Sequence, residues 1–556
     1  MKMNVKSACN VFALCAAAVM FSGGVFADMV DLSAAKIVRA KNENPQQKVA
    51  ADDLEKHLAL IAGRKGDGDG IKFVFGRPSG EKSAAYCGFA KRKGNTIWFW
   101  GDDKGKGRYP YYGSAFAVYG FLEKFLGVKW VFPGDDGIVF KPCAKVDIPE
   151  DWTYEYKCRA ETAMMRRAEP EYGRRMRYAL KRPFKYGHAF RDWQKLYLKD
   201  HPEYLGLAID GTRGVPEKHI GHEKLCLSNP EVIDVILANW QKKGGGKYLN
   251  LCPNDGTPGY CFCDGCLALD ADKPGDPFYF HKTDRYLNFW NRVMPKALKL
   301  NPNVTAVSYI YSYYRFKPRR ERIEFGDNML FGMVPSMNDD YIDDFEGFKK
   351  AGLKHFFFRP NYLSYKGKLP RGLEKYIYDT FHFYHKEGSI GYDYDGAPSP
   401  VKGVEYYVAF RQVAFPEMSF EEIMDEWYSQ YGEAAYAAVK EYYERIRARG
   451  DASRMRVAAR MKAAKEDVLD DSELAGTVAE AHKLEDFVGD LAVLEKVDVS
   501  KLAPADARRF NALVEAAKGY VKVYPEVLEQ SKISAVKAKA WEKEKLSVKV
   551  PVSVRK

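Results

Sequence analysis

Apolar positions along the chain recur with two periods, and the alternation between them predicts an α/β architecture. Lys36 to Ala40 reads as a short strand, after which Val49, Leu54, Leu58 and Ile61 fall on one helical face until Gly63. Ile71 to Phe75 and Thr96 to Trp100 are rich in aromatic and β-branched residues and predict strands; Tyr112 to Leu126 predicts a second helix, ended by Gly127. Beyond Glu150 strand and helix signals alternate at longer intervals. Strands are expected at 158–165, 204–209, 248–252, 304–311, 329–334, 355–359 and 390–394, with a weakly marked one between Arg174 and His188. Helices are expected at 230–242, 284–300, 340–351 and 372–387. Seven or eight such units match the size of a TIM (β/α)8 barrel, whose chemistry sits at the carboxyl ends of its strands. From about Ser419 the pattern turns helical, through 420–449, 453–469, 473–494 and 504–545. The expected organisation is a signal peptide at 1–27, a small α/β domain at 28–150, a TIM-barrel catalytic domain at 151–400 and an α-helical domain at 401–556.

Composition narrows this picture. A chain of 556 residues exceeds one compact core. Its 46% hydrophobic and 29% charged residues are those of a folded protein rather than a disordered one. The net charge of +12 is spread over both signs, and no basic stripe with interleaved aromatics accompanies it, so nucleic acid is excluded as a partner. Lys2 and Lys6 precede an apolar run from Val11 to Met20, and Val25-Phe26-Ala27 supplies a small-x-small cleavage site. This is the plan of a secretory leader cleaved near Ala27, and it predicts a periplasmic or secreted protein. No later stretch approaches the ~18 uninterrupted apolar residues of a transmembrane anchor. The glycine clusters Gly66-x-Gly68-x-Gly70 and Gly101 to Gly107 lack phosphate-loop spacing and read as turns.

Eight cysteines follow the leader, and Cys261-x-Cys263-x2-Cys266 is their dense cluster. In an exported chain disulfides are the first expectation. With Cys226 or Cys252 the cluster also has the ligands of a tetrahedral metal site, although its spacing is not the usual pair of C-x2-C knuckles. No metal or other cofactor is expected in the chemistry itself.

Polar residues just past the predicted strands are the candidates for that chemistry. Asn254-Asp255-Gly256 follows one strand, Tyr311 ends another, Asn338, Asp339 and Asp340 follow a third, Arg359 a fourth, and Asp393 and Asp395 mark the last. Earlier loops offer Arg159, His188 and His201. A rim rich in carboxylates and tyrosines, without a Ser/His/Asp order, fits glycoside cleavage better than acyl transfer. Asp255 is the candidate general acid, its pKa raised if an aromatic pocket desolvates it. The second group is either an enzyme carboxylate or the substrate's own 2-acetamido group, held by Asn254. The bland alternative is that Asn-Asp-Gly merely forms a turn. Arg159, His188, Tyr311, Arg359, Asp393 and Asp395 are candidate substrate contacts. Tyr311, Tyr313, Tyr362, Tyr392 and Tyr394 would offer flat faces to a sugar ring.

Several separated motifs carry a resemblance. Gly113-Ser114-Ala115-Phe116-Ala117-Val118-Tyr119-Gly120-Phe121-Leu122-Glu123 continues into Leu126-Gly127-Val128-Lys129-Trp130. Gly187-His188, His201-Pro202-Glu203-Tyr204, Leu225-Cys226-Leu227-Ser228-Asn229-Pro230 and Pro253-Asn254-Asp255-Gly256 follow in order with the cysteine cluster. Over about Val30 to Gly432 the chain resembles the bacterial exported proteins of domain of unknown function 4838. Part of that group is glycoside hydrolase family 163, endo-β-N-acetylglucosaminidases of complex N-glycans. The resemblance implies an architecture like that of β-hexosaminidases and α-glucuronidases. It also implies retaining, substrate-assisted hydrolysis of a glycan or glycoprotein, with Asn254 and Asp255 as the polar pair after the fourth strand. Where relatives of that wider group often end the pair with glutamate, this chain has Asp255. The competing expectations are an inverting glycosidase such as an α-glucuronidase-like enzyme, with Arg359 or His188 reading a substrate carboxylate, and a noncatalytic glycan-binding protein.

Overall fold

The computed structural model describes residues 29–547 apart from 104–110, 159, 161, 167–168, 179–183, 185, 256–258, 273–280, 336, 338, 365–366, 397, 400–402 and 465–481. The expected leader, Arg159 and Asn338 therefore lie outside the described residues.

Near the amino terminus, β1 (Lys36–Val38), β2 (Lys72–Phe75), β3 (Cys87–Lys93), β4 (Thr96–Gly101) and β5 (Thr153–Lys157) form one sheet in the order β1-β2-β4-β3-β5. The first three in that order run parallel, and β3 is antiparallel to both its neighbours. Helix α1 (Pro45–Ala62) starts where Asn44 and Gln47 form a reciprocal capping box around Pro45, and it stops at Gly63, whose φ of 70° suits a residue without Cβ. Helix α2 (Gly113–Leu126) is buried on nearly every side because it lies between α1 and the sheet. The loop at Gly68 and Gly70 hugs the Ala34 carbonyl so closely that a Cβ would come within 2.6 to 2.7 Å of its oxygen, which accounts for those glycines as a tight turn.

The second sheet consists of β6 (Thr162–Met165), β7 (Tyr248–Asn250), β8 (Thr305–Ile310), β9 (Met329–Met333), β10 (His355–Phe358) and β11 (Gly391–Tyr394). Its order is β6-β11-β10-β9-β8-β7, all parallel. Helices α3 (Pro230–Lys242), α4 (Thr283–Leu300), α5 (Tyr341–Ala351) and α6 (Glu374–Lys386) follow β strands or loops in chain order and cover the outside, so the strands are apolar on both faces. Every residue of β9 and β11 is buried. The sheet is a curled half-barrel of six strands among the described residues, not the complete eight-strand barrel expected from the sequence.

The two differences have local causes. The segment between Arg174 and His188 shows no strand among its described residues, but Gly187 and Ala189 hydrogen-bond to Asn250 and Cys252 and so run beside the exit of β7. The strand expected at 204–209 is instead a 3-10 turn at Pro202–Tyr204. It is followed by bridges from Leu205 to Leu225 and from Leu207 to Arg213. This segment pairs with its own neighbours: the Gly206 N–H donates to Lys224 O and the Phe262 N–H to Leu207 O, at 2.8 Å each.

The carboxyl-terminal part is helical, in α7 (Gly403–Ala414), α8 (Phe420–Ser429), α9 (Glu433–Ala464), α10 (Leu484–Leu494) and α11 (Pro504–Ser547). The expected single helix at 420–449 breaks at Gly432, whose φ is 85°. Helix α7 is nearly all buried against α6, which erased the amphipathic period that would have marked it. At Gly450 this region crosses the loop before α6 so tightly that a Cβ would meet Arg371 O at 1.9 Å.

Candidate active site

The site is built on the turn that leaves β7. Asn254, only 2% exposed, accepts from the Phe190 N–H at 3.0 Å and donates to Glu223 O at 2.9 Å. Its amide is thus turned into the backbone of two flanking segments and fixes the turn. Lys224, also buried, donates from Nζ to the carbonyl oxygens of His222 and Asp255 at 2.9 Å each, and His222 Nδ1 lies 3.0 Å from Asp255 O. The backbone on both sides of the Asp255 side chain is therefore held from below.

That side chain projects outward and is 43% exposed, rather than enclosed by an aromatic pocket as expected. The Tyr311 hydroxyl donates to Oδ1 of Asp255 at 3.2 Å. His188 Nε2 stands 3.7 Å from Oδ2, beyond hydrogen-bond length. His188 Nδ1 lies 2.7 Å from Pro253 O, an acceptor only, so this nitrogen carries the proton and Nε2 faces the carboxylate. Burial holds the His188 imidazole below its ordinary pKa, assisted by Arg191 and Arg359 against the opposing pull of Pro253 O and Asp255. The ring is neutral at pH 7. Tyr311 directly follows β8, and the next residue, Ser312, has a φ of 54°. A left-handed non-glycine residue stores about 1–3 kcal/mol and is the kind of strain found where a side chain must be aimed.

A second group lies at the ends of β10, β11 and β6. The buried Arg359 donates to Asp395 at 3.3 Å and lies over the Tyr309 ring at 4.9 Å. Arg166, just past β6, donates to both oxygens of Asp393 at 3.0 and 2.8 Å, and the Tyr186 hydroxyl donates to the same carboxylate. Tyr309 connects the halves, its ring 5.7 Å from His188 and 5.4 Å from Tyr186. Asp255, His188, Tyr311, Arg359, Asp393 and Asp395 thus lie together at the carboxyl ends of the parallel strands. Asp393, however, is 2% exposed and bound on both oxygens, which makes it an anchor for Arg166 rather than a group facing a ligand. Asp395 keeps 27% of its side chain exposed.

Other candidates fall elsewhere. His201 is exposed, pairs with Glu203 at 3.1 Å and stacks on Tyr204. Asp339 pairs with Arg454 of α9 at 2.9 Å. Tyr313, Tyr362, Tyr392 and Tyr394 are core residues: Tyr392 stacks on Phe381, Tyr394 packs edge-on to the same ring and Tyr362 bonds Thr380. Of the five tyrosines expected to face a sugar, only Tyr311 remains partly open. Arg166, Tyr186, Tyr309 and Lys224 were missed. Arg166 was accessible to the same reasoning, since it is the first polar residue after β6, whereas Tyr186 and Lys224 carry no local signal.

Fold and rim together define an α/β protein with a polar, carboxylate-bearing site at the open end of a parallel half-barrel. The chain belongs to the family described as a domain of unknown function (DUF4838), whose model matches residues 141–444. No curated protein matches it. Among solved structures it is similar to a family GH115 4-O-methyl-α-glucuronidase with specificity for decorated arabinogalactans, at 10% identity and a TM-score of 0.49, over 90% of this chain and 73% of that one. It is also similar to a family GH20 exo-β-N-acetylglucosaminidase from Vibrio harveyi, at 11% identity and a TM-score of 0.35, over 72% of this chain and 73% of that one. A family 89 glycoside hydrolase from Clostridium perfringens is matched at 10% identity and a TM-score of 0.39, over 89% of this chain and 67% of that one.

Proposed function

We propose that this protein is an exported glycoside hydrolase in which Asp255 is the general acid. The observation that carries the reading is the placement of one half-exposed carboxylate at a strand end, braced through its backbone by Lys224 and His222 and flanked by the Tyr311 hydroxyl and a neutral His188. Glycoside cleavage requires a carboxylic acid beside the leaving oxygen, and a pre-positioned side chain with open access can take that place. Asp255 gives its proton to the glycosidic oxygen as the bond to the anomeric carbon breaks. As a carboxylate it then removes a proton from the incoming water. Tyr311, partly open, supports the sugar ring, and Asp395, held in place by the buried Arg359, contacts its hydroxyls.

The substrate we assign is a β-linked N-acetylglucosamine residue of an N-glycan-like chain. Its own 2-acetamido oxygen meets the oxocarbenium-like centre, so that configuration is retained. Asn254 positions the turn instead of holding that acetamido group, because its amide is buried, 2% exposed, and turned into the backbone at both ends. The leader pattern at 1–27 supports an action outside the cytoplasm. The partly exposed Arg166 guanidinium favours a second reading, an inverting uronidase that binds a substrate carboxylate there. Mass spectrometry of glycan panels incubated with the protein tests the assignment. Release of a product ending in N-acetylglucosamine supports it; release of a uronic acid, identified with its anomeric configuration by NMR, selects the second reading, and binding without cleavage of any glycan contradicts both.

A further inference from the structure

Four cysteines that the proposed chemistry does not use meet in one place. Cys226 precedes α3, Cys261 and Cys263 lie in the loop beyond Asp255, and Cys266 sits on the short helix Asp264–Leu267. Their four sulfurs all lie within 4.8 Å of one another. Cys226 Sγ is 3.7 Å from Cys263 Sγ and 3.9 Å from Cys266 Sγ, and Cys261 Sγ is 3.4 Å from Cys263 Sγ. A disulfide needs about 2.05 Å, and all four thiols are unbridged. Four sulfurs bound to a zinc ion at ~2.3 Å form a tetrahedron with edges of about 3.8 Å, the spacing found here. Cys252, the other expected ligand, is not in the group; its thiol points to Val307 O.

The surroundings suit thiolates. The Leu207 N–H donates to Cys261 Sγ and the Ser228 N–H to Cys266 Sγ, at 3.3 Å each, while Ser228 Oγ lies 3.3 to 3.5 Å from three of the sulfurs. Arg285, fully buried and paired with Asp270 through two of its nitrogens, uses a third to donate to Cys261 O at 2.7 Å and so fixes the backbone of one ligand. Donors fixed on the ligand sulfurs are the outer shell by which proteins orient metal-bound thiolates.

We propose that Cys226, Cys261, Cys263 and Cys266 bind one Zn2+ in a closed, structural site. Four protein sulfurs leave no position for water or substrate, and three of the cysteines are buried. Binding releases the thiol protons and forms four Zn–S bonds, with no change of oxidation state. The ion would join the strand of chain at 222–226, which holds Asp255 from below, to the loop at 261–266, which carries the chain away from it. The turn bearing Asp255 is thereby closed between two points of one metal centre. This inference stands independently of the reaction assigned to Asp255.

The test is elemental analysis of the full chain purified without chelator, together with its intact mass measured without reductant. The expected result is one zinc per chain, a mass showing four unbridged thiols in the cluster, and, after exchange with Co2+, intense thiolate-to-cobalt absorption that Cys263→Ser diminishes. Cys263 is the least buried of the four, so that variant is the one best able to fold. The wild-type measurements decide the matter even where it does not. A mass lowered by two hydrogens for each bridge among these cysteines, or reduced chain that takes up no zinc when it is supplied, overturns the proposal. Stoichiometric iron in place of zinc overturns the assignment of the ion. None of these readouts depends on glycan cleavage.

Discussion

Replacing His57 by glutamine should flatten the acid side of the protein's stability profile. His57 lies on α1 and is completely buried. Its Nδ1 is 2.6 Å from Asp53 O, and its Nε2 accepts from the Trp130 indole N–H at 3.1 Å. One ring nitrogen must therefore carry a proton and the other must not, so a second proton would face the indole donor. Burial, with Arg175 and Lys56 nearby, pushes the imidazole down to about 4, against the opposing pull of the Asp53 carbonyl and carboxylate. In the unfolded chain the same ring takes its proton near pH 6.5. As pH falls from 6.5 toward 4, the unfolded state gains a proton that the folded state refuses, and stability drops by about 3 kcal/mol at ~1.4 kcal/mol per pH unit before levelling off. Burial raises the neighbouring Asp53 carboxyl, but Arg174 and Arg175 outweigh it and hold it below 3.8, so its own contribution is lost only in stronger acid. His482, pushed down to about 4 by burial and by Arg449, loses stability over the same window. The difference between wild type and His57→Gln therefore carries the test. Urea denaturation between pH 7 and 4 should show wild type losing about 3 kcal/mol more than the variant. Parallel profiles for the two proteins would refute the reasoning.

Three further substitutions probe the frame of the site. Arg371 and Glu405 form a fully buried ion pair beneath the loop before α6, and burial together with Glu405 pushes the adjacent Glu374 carboxyl up to about 8. Arg371→Met should cost about 3–5 kcal/mol in urea denaturation, with partial recovery when Glu405→Gln removes the stranded charge. Asn254→Ala leaves the Phe190 N–H and the Glu223 carbonyl without their buried partner, at about 1–3 kcal/mol each. It should also lower kcat more than it changes KM, since it disturbs the turn under Asp255 rather than a substrate contact.

What the sequence made legible follows from how far each signal reaches along the chain. The parallel strands announced themselves as short apolar runs, because both faces of such a sheet are covered, and the end of α1 was marked by Gly63, whereas its start at the Asn44 capping box was not read. Asp255, His188, Tyr311, Arg359 and Asp395 were singled out as candidates by position relative to those runs. The roles of Asn254 and Asp393 were hidden, since the partners that bury them, Phe190, Glu223, Arg166 and Tyr186, are 31 to 227 residues away. Tyrosines at strand ends could not be divided into open and covered ones without the helices that cover them. The cysteine cluster was visible as a spacing, but the choice between bridges and a metal needed the fourth sulfur, Cys226, and the distances between all four.

The central claim is that Asp255 donates the proton to the departing sugar oxygen, and dependence on the leaving group tests it most directly. kcat/KM for wild type and Asp255→Asn should be compared on a natural glycan and on an N-acetylglucosaminide with an activated aryl leaving group that needs no proton. General acid catalysis contributes about 10²–10⁴-fold. The account predicts a loss of that size on the glycan and little loss on the aryl substrate. Equal losses on both substrates, or no loss on the glycan, would contradict it.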